Sequence, residues 1–192
     1  MSPTQISVEL KKQADYILHE LKFCDILSHC GRVIPTGSYF LDLMIYPDID
    51  FYVTKVPIEK VFEMAGELVK SNLVFEVKME KSDDDPRMRG GYYLKLFINY
   101  GNWKRHWKID IWFLEDSHID EVMETMQSFK DRITPELKEK ILNYKFSVIN
   151  EQHRTPMYSG YFIYKAMIDE GMTDYEDITK YLIDNGINVN KS

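Results

Sequence analysis

TGSYFLDLMIYPDIDFYV, residues 36–53, holds a glycine–serine pair, a spacer of nine residues rich in apolar side chains, and the triplet Asp48-Ile49-Asp50. The triplet opens a β-forming run that ends at about Thr54. Along a strand, residues i and i+2 project to the same face, so Asp48 and Asp50 stand side by side while Ile49, Phe51 and Val53 face a core. Two carboxylates held that close repel each other unless a cation lies between them, and strands are poor hosts for Asp. Placing both there is locally unfavourable, a cost that proteins accept mainly at functional sites. A turn after Pro47 would account for Asp48 alone, but not for Asp50.

Downstream, HWKIDIWF (residues 106–113) alternates again. Trp107, Ile109, Ile111 and Phe113 form its apolar face, and Asp110 belongs to the other face with His106, Lys108 and Trp112. If this strand pairs beside residues 48–54, three carboxylates meet on one sheet face. The plainer alternative for Asp110 is a surface charge paired with Lys108 or Lys95. Oxygen ligands of this kind suit Mg²⁺ or Mn²⁺, which keep several waters and bind substrate phosphates as well. Gly37 allows a tight turn and a close backbone approach. If a short helix follows it, the free N–H groups and the Ser38 hydroxyl form an anion cradle.

The rest of the chain supplies a frame. Ser2-Pro3-Thr4-Gln5 reads as a helix start, and Leu10, Ala14, Ile17, Leu18 and Leu21 carry that helix to about Ser28. A short strand follows at Arg32–Thr36. Pro57 opens a helix to about Ser71, and Leu73–Met79 alternates as a half-buried strand. KSDDDPRMRG (residues 81–90) interrupts the pattern as a loop. Tyr92, Leu94, Leu96 and Ile98 pair with the 107–113 run across a turn at Gly101-Asn102. Four helices complete the chain: from Ser117 through Phe129, from Thr134-Pro135 to about Gln152, over Ser159–Glu170, and from Thr173 to Gly186. Helix, then β-α-β-β-β, then four helices predicts an α+β fold with a natural boundary near residue 115.

Gly-Ser, a spacer of about ten residues, D-x-D on a strand and a third Asp on a later strand resemble the signature of the DNA polymerase beta-type nucleotidyltransferase superfamily. That superfamily includes small-molecule antibiotic nucleotidyltransferases of the aminoglycoside and lincosamide types, nucleic-acid polymerases and protein-modifying members. The resemblance spans roughly residues 31–113. It implies a nucleotidyltransferase-type mixed β-sheet flanked by helices in residues 1–115, and a C-terminal helical annex over 116–192. It also implies Gly37 and Ser38 at the triphosphate of an NTP, with Asp48 and Asp50 as metal ligands. Asp110 becomes a further ligand, or the group that helps to deprotonate the acceptor hydroxyl. Two metal ions about 4 Å apart would clamp the reacting phosphate. Arg87, Arg89 and Lys165 are further candidates for the phosphates, as are Lys104 and Arg105 beside the hairpin turn. Tyr158, Tyr161, Phe162 and Tyr164 crowd the start of the penultimate helix.

Bulk properties narrow the setting. At 192 residues, 44% hydrophobic and 29% charged, the chain has the composition of a globular protein with a substantial core. No apolar run approaches the ~20 residues of a membrane span, and no basic-then-apolar leader argues for export. The five histidines show no H-E-x-x-H spacing, and Cys24 and Cys30 match neither a zinc pair nor a redox motif. They read as reduced, partly buried thiols of a cytoplasmic protein. A net charge of −7 counts against nucleic acid as acceptor, because cationic side chains supply most of its non-specific affinity. The expected acceptor is a small-molecule hydroxyl. A protein acceptor, or a catalytically silent binding or regulatory module, are the alternatives.

Overall fold

The computed structural model describes residues 1–81 and 90–189. The alternating segments form five strands, β1 (Val33–Thr36), β2 (Ile49–Thr54), β3 (Val74–Glu80), β4 (Tyr92–Ile98) and β5 (Trp107–Leu114). Their order in the sheet is β1-β2-β5-β4-β3. β2 and β5 run parallel and the other neighbours antiparallel, so the sheet is mixed. Pro35 lies in β1, an edge strand, where its missing N–H breaks no ladder on the open side. β5 is central and buried along most of its length, with Ile109, Ile111 and Phe113 fully enclosed.

Helices cover the sheet and extend beyond it: α1 (Pro3–Glu20), α2 (Phe23–Ser28), α3 (Gly37–Phe40), α4 (Ile58–Leu68), α5 (Asp116–Arg132), α6 (Pro135–Ser147), α7 (Ser159–Tyr164) and α8 (Tyr175–Asp184). The chain is therefore α+β, a mixed sheet flanked by helices. Ser2 caps α1 in a reciprocal capping box with Gln5, as the opening residues predict.

Several boundaries differ from the sequence reading. The first helix does not run unbroken to Ser28: Lys22 takes a left-handed backbone at φ 49°. The break turns Phe23 and Leu27 into the core beside Leu21. α6 stops at Ser147 rather than near residue 152. Beyond it the Asn150 side chain accepts from the backbone N–H groups of Gln152 and Arg154, a local alternative to helix. α5 begins at Asp116, one residue before Ser117. α8 is capped by Asp174, whose carboxylate accepts from the Glu176 and Asp177 N–H groups, and not by Thr173. After α7 the helix widens into one π turn over Lys165–Asp169. Of the two thiols, Cys30 is buried but Cys24 is exposed, and they are not bonded to each other. No helix among the described residues is long and apolar enough to cross a membrane.

Two apolar cores result. The larger packs α1, α2 and α4 against Ile49, Phe51, Val53, Leu94, Leu96, Ile98 and the apolar side of β5. The smaller gathers Met126, Phe129, Ile141, Leu142, Tyr144, Ile163, Tyr164, Ile178 and Leu182 of the C-terminal helices around Leu41 and Leu43. The spacer that follows α3 thus serves both, because Met44 belongs to the first core and Leu41 and Leu43 to the second.

Candidate functional site

Parallel pairing of β2 with β5 sets Asp50 directly opposite Asp110. Side chains at register partners on neighbouring strands share a face, so these two carboxylates crowd together on the side of the sheet away from the larger core. Asp48 joins them from the residue before β2. Two of the three, Asp48 and Asp110, are linked by a residue from β5 itself: Lys108 Nζ lies 2.6 Å from Asp110 Oδ2 and 3.0 Å from Asp48 Oδ1. All three members of that linkage are buried. Asp110 is fully engaged, because its Oδ1 accepts from the Tyr93 hydroxyl at 2.6 Å. Asp48 Oδ1 is not. It stands at ion-pair distance from Lys108 without hydrogen-bond geometry, and no hydrogen bond reaches it among the described residues.

The ionisation of the cluster follows from this crowding. Burial first, then the fields of Asp48 and Asp110, push the Asp50 carboxyl well above the usual carboxylate range, against the pull of Lys108 and Lys145. Asp110 is raised by burial and by Asp48, with Lys108 and Tyr93 opposing. Burial works against the Lys108 ammonium, but the surrounding carboxylates outweigh it and its pKa rises. Burial and the Asp110 charge likewise raise Tyr93, which remains a proton donor.

Gly37 closes one side. Its φ is +60°, and a Cβ there would stand 2.6 Å from Asp50 Oδ2, so the backbone of Gly37 lies against the carboxylate. A one-turn helix, α3, does follow, but the Ser38 hydroxyl is not free. Lys145 Nζ donates to Ser38 Oγ at 2.9 Å, to the Leu43 carbonyl at 2.6 Å and to the Tyr164 hydroxyl at 2.9 Å. Tyr164 and Ser38 are also within 2.8 Å of each other. Lys145 is 1% exposed, and burial pulls its pKa down to about 8.

Nearby, the Arg105 guanidinium sits 5.1 Å from the centre of the Tyr46 ring. The Tyr46 hydroxyl lies 3.3 Å from Thr155 Oγ1. The fields of Asp48, Lys145 and Arg154 all act on that phenol, so the loop before β2 runs between the acidic cluster and a set of cations.

The structure therefore brings Asp48, Asp50, Asp110, Gly37 and Ser38 together. The lysine that reaches Ser38 is Lys145 of α6, not Lys165, which begins the π turn after α7. Arg87 and Arg89 lie outside the described residues. Lys145 is not among the residues that the motif selects, although the sequence carries a signal for it. It falls four residues after Ile141, on the buried side of an otherwise amphipathic helix, and a lysine on an apolar stripe calls for a partner. Lys108 was legible as a residue sharing a face with Asp110. Its reach to Asp48 depends on the parallel pairing of β2 and β5.

The donor chemistry is of the kind a hard divalent ion takes: three carboxylates from β2, the residue before it and β5 on one side of the sheet, one of them with a buried oxygen that accepts no hydrogen bond. In the arrangement seen, Asp48 and Asp110 close on Lys108. Among the described residues no three carboxylate, imidazole or thiolate groups converge on a common point.

No protein-family model matches the chain, and no curated protein sequence matches it. Among solved structures, it is similar to Cid1 in complex with the UTP analogue UMPNPP, at 18% identity and a TM-score of 0.49, over 81% of this chain and 46% of Cid1. The chain thus spans less than half the length of that protein. A GTP pyrophosphokinase family protein from Streptococcus pneumoniae is similar at 11% identity and a TM-score of 0.35, over 94% of this chain and 93% of the other.

Proposed function

We propose that this chain transfers a nucleoside monophosphate from an NTP to the hydroxyl of a small-molecule acceptor, releasing pyrophosphate. The observation that carries this reading is the juxtaposition of Asp50 with Asp110 across β2 and β5, with Asp48 joined to Asp110 through Lys108 and Gly37 against Asp50. Asp48, Asp50 and Asp110 would hold Mg²⁺ or Mn²⁺, which supplies Lewis-acid stabilisation of the transferring phosphoryl group.

The chain's own groups do the rest. Gly37, having no Cβ, lets the Asp50 carboxylate stand against the turn that leads into α3. Ser38 is held by Lys145 and Tyr164, and the Lys145 ammonium adds positive charge next to the turn that carries Gly37. The acceptor oxygen attacks the α-phosphorus, the α–β anhydride bond breaks, and the hydroxyl proton leaves toward Asp110 Oδ2, the oxygen that Lys108 holds in this arrangement and must vacate. The raised pKa of Asp110 suits a proton acceptor better than an ordinary carboxylate would. The net charge of −7 favours a neutral or cationic acceptor over a polyanion.

One observation favours the second reading, a catalytically silent binding module: the Lys108 bridge already neutralises part of the cluster. Incubation of the protein with each NTP, Mg²⁺ and a panel of aminoglycosides, lincosamides and other polyols separates the two. The transferase reading predicts pyrophosphate release that Asp50→Asn abolishes. Mg²⁺-dependent NTP binding with no release from any acceptor would favour the silent module.

A further inference from the structure

The acidic cluster carries its own cation. Lys108 precedes Asp110 by two residues on β5, so both side chains leave the same face of the strand, and the parallel neighbour β2 brings Asp48 within reach of the same ammonium. Lysine is almost never buried without a partner, yet Lys108 is only 9% exposed. We propose that Lys108 is a built-in counterion that occupies the space between Asp48 and Asp110 and withdraws when a divalent ion binds there. This deepens the reading of the cluster as a divalent-ion site and rests on it.

Three features make the exchange workable. The hold on Asp48 is a charge contact without a directed hydrogen bond, so little is lost when the ammonium leaves that oxygen. Asp110 keeps its position without Lys108, because the Tyr93 hydroxyl fixes its other oxygen. The four-carbon lysine stem allows the head group to swing aside without moving the strand.

With the counterion in place the protein needs no metal to tolerate its carboxylates, and an incoming ion competes with Lys108. Removing the ammonium while keeping the stem, as in Lys108→Met, reverses both properties. The measurement is Mn²⁺ binding by calorimetry or electron paramagnetic resonance, together with thermal melting in chelator and in saturating Mn²⁺, all without nucleotide. The expected result is Mn²⁺ affinity at least tenfold tighter in Lys108→Met. In chelator the variant melts below the wild type, and Mn²⁺ recovers most of that gap while moving the wild type much less. Equal or weaker Mn²⁺ affinity in the variant, or a gap that Mn²⁺ leaves open, overturns the proposal. Lys108→Gln carries the same measurements if the Met variant does not fold. Failure of both to fold even when refolded with Mn²⁺ also overturns it. Nucleotidyl transfer is not read in any arm. A wild type that binds Mn²⁺ but transfers nothing would remove the transferase reading and leave this one standing.

Discussion

Gly37 answers two constraints at once, a φ of +60° and an Asp50 oxygen 2.6 Å from where a Cβ would sit. Gly37→Ala is expected to cost about 1–3 kcal/mol, the usual size of local backbone strain plus a displaced neighbour, measurable by denaturant unfolding. Transfer should fall more than stability, because the atom displaced is a carboxylate of the cluster. Asp50 behaves in the opposite sense. Its folded pKa is raised by burial and by two neighbouring carboxylates. The folded state therefore binds more protons than the unfolded one above the ordinary carboxylate range, and stability falls as pH rises through that interval. Asp50→Asn removes the repulsion, so at neutral pH the variant should melt no lower than the wild type while losing transfer, as melting and pyrophosphate assays on one preparation would show. The proximity of Asp48 and Asp50 was legible because a period of two fixes which side chains share a face. The grip of Lys145 on Ser38 was not, since the two are separated by 107 positions and meet only through the packing of α6.

At the level of elements, α6 carries a lysine on its buried side and delivers it to the serine of α3. Burial lowers the Lys145 pKa from 10.5 to about 8. Between those values the unfolded chain binds the proton and the folded one does not, so stability rises with pH across that window. Above about pH 10 the buried tyrosines reverse the trend. Tyr46, Tyr93 and Tyr164 have raised values, so the unfolded state loses its phenolic protons first. Melting curves should accordingly show a gain of about 2 kcal/mol between pH 8 and pH 10 and then a fall. Lys145→Met should erase the gain and leave the fall. An unchanged gain in that variant would mean that another group titrates there. Element types were largely legible from apolar periodicity; their ends were not, because the left-handed Lys22 and the Asn150 side-chain turn are local backbone choices that a hydrophobic pattern does not encode.

The whole molecule joins two apolar cores through the spacer between the glycine–serine pair and the acidic triplet. Met44 is buried in one core, Leu41 and Leu43 in the other. We propose the boundary near residue 115 as a border between cores rather than between parts that fold alone. A chain ending at residue 115 would expose Leu41 and Leu43 and strip Lys145 and Tyr164 from Ser38. It should lose its cooperative melting transition and bind a hydrophobic dye. The α+β class was readable from the order of alternating and amphipathic segments. The order of strands was not, because β5 inserts between β2 and β4 by pairing over a long stretch of chain, and that insertion places Asp110 opposite Asp50. The most direct measurement is calorimetric titration of the protein with each NTP, with and without Mg²⁺, in the wild type and in Asp48→Asn and Asp50→Asn. At least one NTP should bind the wild type only when Mg²⁺ is present, and each substitution should weaken that binding at least a hundredfold with the melting temperature held. Absence of Mg²⁺-dependent binding in the wild type, or equal binding in the substituted proteins, would contradict the assignment.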